Sequence, residues 1–277
     1  MLFRIPAACA VMLYARELSQ AQQPAPNLRS FFEQRLSAKA GTAPPSYEAL
    51  LAVIDTIGTS TATDIQSTLR LLSLALQSTT PNLPVEAAFA YFAIANRSDG
   101  GVLLRDRVPE LAALMASSDD RLRGAAVTIL RRLTQSIPGA TLPPMMNELR
   151  NASRPNLVKA EIVRTLLESS KRNDAQVLRS VETYLYLEAD PPVKVANLLA
   201  IAANRVKTPA IAGYAISALT DKDKHVQLAA IQTVYSLGAD VRDQSRSIVS
   251  KLARDPGVDQ AVRSMAERAL QGKLTVP

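Results

Sequence analysis

Apolar residues recur along this chain at helical spacing, and a short signature marks each place where the pattern restarts. An aliphatic residue, two variable residues and an alanine return six times: Val85-x-x-Ala88, Leu122-x-x-Ala125, Leu157-x-x-Ala160, Val193-x-x-Ala196, Val226-x-x-Ala229 and Val258-x-x-Ala261. The aliphatic positions lie 37, 35, 36, 33 and 32 residues apart. Residues three and four apart share one face of a helix, so each return opens a new amphipathic helix. A period of this length in helical sequence marks a stacked helix-pair solenoid.

One unit shows the construction. Val108, Leu111, Leu114 and Met115 form one apolar stripe, with Pro109 in the first turn, where its missing N–H costs nothing. Ser117-Ser118-Asp119-Asp120 breaks the pattern, and Leu122, Ala125, Ala126, Ile129, Leu130 and Leu133 then form a second stripe. Asp119, Asp190, Asp223 and Asp255 each stand three residues before an aliphatic anchor, where a carboxylate accepts N–H groups from the first helical turn. Asn82 holds the same place in the first unit, Arg154 departs from it in the third, and Pro191 and Pro256 directly follow their Asp. The alanine three residues after each anchor is expected to face a partner helix at close range.

The pattern predicts helices near 27–39 and 46–57, separated by Gly41-Thr-Ala-Pro-Pro45, as an N-terminal cap. Helix pairs follow at 64–77 with 84–96, 107–117 with 120–135, and 142–151 with 155–170. Further pairs fall at 174–188 with 191–204, 208–219 with 223–236, and 241–253 with 257–271. Gly100-Gly101 falls in a loop between units, and 273–277 is a short tail.

Leu122-Arg-Gly-Ala125 and Val193-Lys-Val-Ala196, each behind an Asp-bearing turn, resemble the HEAT-repeat family, in which Val-Arg-x-x-Ala leads the second helix. Glu86, Val158, Gln227 and Asp259 occupy the basic position in the other units and depart from that pattern. The resemblance covers about 61–272. It implies an all-α, right-handed α-α superhelix of about six helix pairs over 64–272, with 23–63 as linker and cap. Second helices would line its concave face. The resemblance names a scaffold and not an activity. Some HEAT-like proteins are lyases acting on bilins or glycosylases acting on alkylated bases, so an enzyme on this scaffold is an alternative.

Composition narrows the choice. The chain has 277 residues, no Trp, one Cys and one His, which leaves no disulfide framework and no Cys/His zinc spacing. The missing Trp argues against the glycosylase kind, which resembles a basic groove with Trp and Asp at its site. Net charge is +7, and residues 97–179 hold 14 basic against 9 acidic side chains. Arg123, Arg131, Arg132, Lys159, Arg164 and Lys194 all fall on second helices. Aligned along a superhelix they would make a groove for an acidic protein segment or another anionic ligand. A nucleic-acid-binding solenoid using these Arg-rich middle repeats is a further alternative, disfavoured because stacking aromatics are few.

Residues 1–22 have the layout of a secretory signal peptide: Arg4, an apolar run from Ile5 to Ala15, and Ser19-Gln20-Ala21. They imply export, periplasmic or extracellular, by a bacterium; a cytoplasmic protein is the alternative. His225 has no co-ligand and reads as a surface or capping residue. Asp221-Lys-Asp223 lacks the glycine and distant Glu of a calcium loop and reads as a helix-capping turn. Phe89 and Phe92 are expected in the core; Tyr91 and one of Tyr184 and Tyr186 are candidates for exposed contact residues, with core or rim packing the favoured reading. No nucleophile elbow, phosphate loop or dinucleotide fingerprint is present. The sequence therefore predicts a non-enzymatic scaffold without cofactor or metal, whose partner is another protein.

Overall fold

The computed structural model describes residues 27–37, 47–151, 156–169 and 174–274. The expected leader and the last three residues lie outside them. All regular elements among the described residues are helices. The chain opens with α1 (Leu28–Ser37) and α2 (Tyr47–Ile57). Then α3 (Ala62–Leu76) pairs with α4 (Leu83–Ala95). The next first helix is broken into α5 (Gly100–Leu104), α6 (Val108–Ala113) and two short 3₁₀ turns, and it pairs with α7 (Asp120–Thr134). Next come α8 (Pro138–Leu149) with α9 (Asn156–Ser169), and α10 (Ala175–Leu187) with α11 (Pro191–Asn204). The chain continues with α12 (Pro209–Ala218) and α13 (Lys224–Ser236), then α14 (Ala239–Arg254) and α15 (Gln260–Leu270).

First helices stack on first helices and second on second, from α1 on α3 and α2 on α4 to the last pair. The N-terminal cap is thus built like a repeat. From α6 onward the second helices touch one another more extensively than the first helices do, so they form the inner layer of the all-α superhelix. One continuous apolar cluster runs from Leu28 to Ala269, as expected when each pair buries its face on its neighbours.

The repeat register differs from the one the motif suggests. The second helices superpose in burial when the anchors are Leu83, Leu122, Val158, Val193, Val226 and Val262, all buried. Leu122, Val193 and Val226 keep their expected place, Val85 and Val258 do not, and the side chain of Leu157 lies outside those described. The close contact falls four residues after the anchor, at Ala87, Ala126, Ile162, Asn197, Ala230 and Ala266, each 0 % exposed. Of the motif alanines, Ala88, Ala160 and Ala229 are buried as expected, whereas Ala125 and Ala196 are half-buried and Ala261 is exposed.

Capping explains the shifts. Asp119 and Asp223 cap as expected, Asp223 accepting from His225 N at 2.7 Å and Val226 N at 3.2 Å. Asn82 makes no capping bond; it has φ 66°, starts α4 at Leu83, and its amide oxygen accepts from Arg121 Nη1 at 3.2 Å. Asp255 closes α14 rather than opening the next helix, accepting from Gly257 N at 2.9 Å. Pro256 lies in that turn and not at a helix start. Asp259 caps α15 one turn later, which moves the anchor from Val258 to Val262.

Gly100 and Gly101 are not in an open loop. Both are buried at the start of α5, where a Cβ on Gly100 would strike the carbonyl of Ile94 and one on Gly101 the side chain of Ser136. α8 starts at Pro138, earlier than expected, and carries Pro143-Pro144 within it. Tyr91 is fully buried, in line with the favoured core packing, while Phe89 and Phe92 are half-buried. Tyr184 is 5 % exposed and Tyr186 57 %.

Candidate functional site

On α7 the residues two, six and ten places after the anchor, Gly124, Thr128 and Arg132, all face solvent. This stripe, one residue per turn, is the face of a second helix left over after packing against its own pair and both neighbours. Its composition changes along the inner layer. The first pair offers Val85 and Phe89, half-buried. The fourth and fifth offer Val195, Leu199 and Leu228, also half-buried. Between these apolar ends lie Arg132 and Arg164, both exposed.

The structure separates the six basic residues expected in a groove. Arg132 and Arg164 lie on the inner stripe, Arg132 bonded to Gln135 Oε1 at 2.7 Å. Arg131 turns toward the next repeat, reaching Glu161 at 3.0 Å and Glu168 at 2.8 Å. Arg164 shares both carboxylates, at 3.3 and 3.6 Å. Burial pushes the Glu161 carboxyl upward, Arg131 opposes this, and the neighbouring Glu168 adds to it. Arg123 sits near the repeat turn, donating to the Ser117 carbonyl at 2.6 Å and pairing with Asp120. Lys194 is also near a turn and binds Asp221 at 2.9 Å. Burial raises the Asp221 carboxyl, but the backbone N–H of Asp223 and Lys194 together outweigh it and hold the group below its usual range. Lys159 is withdrawn from any inner groove: it is 5 % exposed, and its ammonium stands 5.6 Å from the centre of the Tyr184 ring.

Turn-to-turn contacts join successive repeats along one edge. Besides Arg121 to Asn82 and Lys194 to Asp221, Lys224 meets Asp259 at 3.2 Å. His225 is exposed on the first turn of α13, and Asp221 and Asp223 complete the capping turn. Among the described residues no three His, Cys, Asp or Glu side chains are placed to hold a metal. No described helix is long and apolar enough to cross a membrane.

Two features were missed from the sequence. One is a polar cluster in the core at the fourth junction. Asn197 replaces the usual alanine, is 0 % exposed, and neither of its amide atoms makes a hydrogen bond of good geometry. The hydroxyls of Tyr184 and Tyr214 lie near it. Tyr184 donates to Glu188, and the Tyr214 hydroxyl makes no hydrogen bond of good geometry among the described residues. Burial pushes both phenols well above their usual range, the Glu188 charge adds to this, and Asn197 partly opposes it. In the motif Ala196 holds the alanine position, so Asn197 gave no signal until packing moved the contact one residue on.

The other is a cleft of about 380 Å³ on the outer layer, between the end of α8 and one face of α10. Its walls include Leu149, Arg150, Arg179, Thr183, Tyr184 and Leu187. The α10 residues fall three and four apart, so the stripe was readable, but its lack of a covering helix was not.

No protein-family profile matches the sequence, and no curated protein matches it. Solved structures do. A homology model of the full-length AP-3 complex in an intermediate open conformation is similar over 82 % of this chain and 42 % of that one, at TM-score 0.57 and 16 % identity. This chain therefore spans less than half of the AP-3 chain it matches. A designed armadillo repeat protein in complex with the peptide (KR)4 aligns over 90 % of this chain and 100 % of that one, at TM-score 0.36 and 15 % identity. A computationally designed armadillo repeat protein for modular peptide recognition aligns over 88 % and 99 %, at TM-score 0.37 and 14 % identity. The chain has an armadillo/HEAT-like solenoid fold, an architecture typical of protein-binding repeats.

Proposed function

We propose that this protein is a non-enzymatic interaction scaffold that binds another protein along the inner, concave layer of its solenoid. The observation that carries this reading is the inner stripe, with apolar patches at Val85 and Phe89 and at Val195, Leu199 and Leu228 flanking an Arg/Glu band. Half-buried aliphatic and aromatic side chains spaced along one face suit an extended protein partner, whose own apolar residues would dock at intervals. The internal pairing of Arg123, Arg131, Arg164 and Lys194 with carboxylates favours such a partner over a polyphosphate, which needs unneutralised cations.

The reading includes a location. Residues 1–22 support export, so the partner is sought among envelope or extracellular proteins. Mass spectrometry of protein from a secretion-competent host tests this: a mature N-terminus near Ala21 supports it, and an intact Met1 returns the protein to the cytoplasm.

Photocrosslinking tests the binding face. A benzoylphenylalanine at Phe89, Leu199 or Leu228 is expected to capture a common partner, while the same group at Gln244 on α14 of the outer layer is not. With that partner purified, Leu199→Glu should weaken binding at least tenfold. Equal capture from Gln244, or unchanged affinity of Leu199→Glu, would refute the inner face as the binding surface.

A further inference from the structure

We infer that the outer cleft between α8 and α10 is a second docking site, for a peptide segment of a partner protein that presents an apolar side chain next to carboxylates. This site is independent of the inner layer, because α8 and α10 are first helices on the opposite side of the solenoid.

Three observations converge on that occupant. The first is the apolar surface. Leu149 and Tyr184 close the inner part of the cleft, and Leu187 at its edge is 77 % exposed, among the most exposed large apolar side chains described. Residues of an ordinary surface helix that point outward are polar; here the outward stripe of α10 ends in a leucine. A volume of about 380 Å³ lies within the range of small ligand pockets and accepts one or two apolar side chains rather than a folded domain.

The second is unneutralised positive charge. Arg150 and Arg179 both line the cleft and are exposed, and neither has an ion pair among the described residues. Arg70, Arg105, Arg246 and Arg254 likewise have no ion pair among the described residues; what distinguishes Arg150 and Arg179 is that both flank an apolar cleft. The third is Lys159. Its ammonium is nearly inaccessible and lies over the Tyr184 ring, so the aromatic wall of the cleft has a cation beside it. A cation at a ring face is itself stabilised by the ring quadrupole. It also opposes the negative charge of Glu188, which accepts from the Tyr184 hydroxyl, so the positive rim of the cleft rests on Arg150 and Arg179.

An apolar floor with cationic rims selects an amphipathic acidic segment. A purely apolar ligand would leave both guanidinium groups unused. A phosphodiester chain would gain from the arginines but meet leucines where it needs stacking platforms, since the only aromatic ring in the wall is 5 % exposed.

The experiment uses the full chain, immobilised, and a phage-displayed library of random heptapeptides. The selected sequences are expected to join Leu, Ile or Phe to two or more Asp or Glu. The best heptapeptide, made with a fluorescein label, is then titrated by anisotropy. The double variant Arg150→Glu/Arg179→Glu should weaken it at least tenfold, and Leu187→Asp at least fivefold. Raising salt from low to high should weaken the wild-type complex severalfold, as screening of exposed charges requires. Circular dichroism of each variant should match the wild type, because the altered side chains are exposed. Leu199→Glu on the inner layer should leave the affinity within twofold, which keeps this site's outcome separate from that of the inner face. The inference is overturned if no sequence is enriched, if enriched sequences lack carboxylates, or if binding survives the double variant. Competition by a thymidine decanucleotide at the same affinity would overturn the peptide in favour of a phosphodiester ligand.

Discussion

The register of the repeat makes a quantitative prediction about two adjacent alanines. In α7, Ala126 is 0 % exposed and lies four residues after its anchor, whereas Ala125 is half-buried. The motif Leu122-x-x-Ala125 points to Ala125 as the contact; the packing assigns it to Ala126. Leucine adds three carbon atoms. At Ala126 these have no space and must displace neighbours in a core that includes Ile129 and Leu130, both 0 % exposed. Overpacking of this kind costs about 1–3 kcal/mol. At Ala125 the added atoms can lean toward solvent, so the cost stays within about 1 kcal/mol. The last pair repeats the contrast more sharply. Ala266 is 0 % exposed and Ala261 is exposed, so Ala266→Leu should destabilise and Ala261→Leu should be neutral within about 0.5 kcal/mol. Thermal unfolding reads the difference, since 1 kcal/mol moves Tm by roughly 2–4 °C in a chain of this size. A larger loss at Ala125 than at Ala126, or at Ala261 than at Ala266, would refute the register.

Other consequences follow from single positions. Gly124 sits inside α7, and a Cβ there would meet nothing within 4 Å, so Gly124→Ala should raise stability by about 0.5–1 kcal/mol in urea unfolding; a loss would mean that the inner face is closed over this position. Asn197→Ala installs the residue that Ala87, Ala126, Ala230 and Ala266 provide in other repeats and removes an amide without well-formed hydrogen bonds, so it should stabilise by about 1 kcal/mol; a loss of similar size would show that the amide is satisfied by the two tyrosines. Tyr91, Tyr184 and Tyr214 all have raised pKa values, mainly through burial, Tyr91 to about 12. A raised value means that the fold favours the neutral phenol. Their contribution is therefore complete below about pH 10 and is lost as pH rises beyond it. In an absorbance titration at alkaline pH these three of the seven tyrosines should ionise only as helicity falls; early ionisation with helicity intact would contradict their burial.

Much of the architecture was legible because it depends on local pattern. Helical spacing, Asp-bearing turns and a period near 35 residues are set within each segment, and they predicted helix pairs that the structure contains. Where a helix starts is decided by one capping residue, and there sequence reasoning slipped. Asn82 and Asp255 look like Asp119, yet Asn82 turns through a left-handed conformation and Asp255 ends a helix. At Asn82 the anchor moves by two residues, which turns the helix by about 200° and exchanges its buried and half-buried faces; at Asp255 it moves by four, which delays the helix by about one turn. The same limit applies to the tyrosines: Tyr91 and Phe92 are adjacent in sequence, and only the helix phase decides which is enclosed.

The sequence by itself determined that this is an all-helical repeat protein with polar turns between its helices and an excess of basic residues in its middle. Those properties belong to single segments and to composition. Which charges remain available was decided only by the tertiary structure, because neutralisation depends on carboxylates 30 or more residues away, as Arg131 shows with Glu161 and Glu168. The same assembly buried Lys159 behind Tyr184 and left Arg150, Arg179 and Leu187 open on the outer layer. A linear sequence states which side chains exist; the stacking of helices sets the distances over which they attract, cover or miss one another.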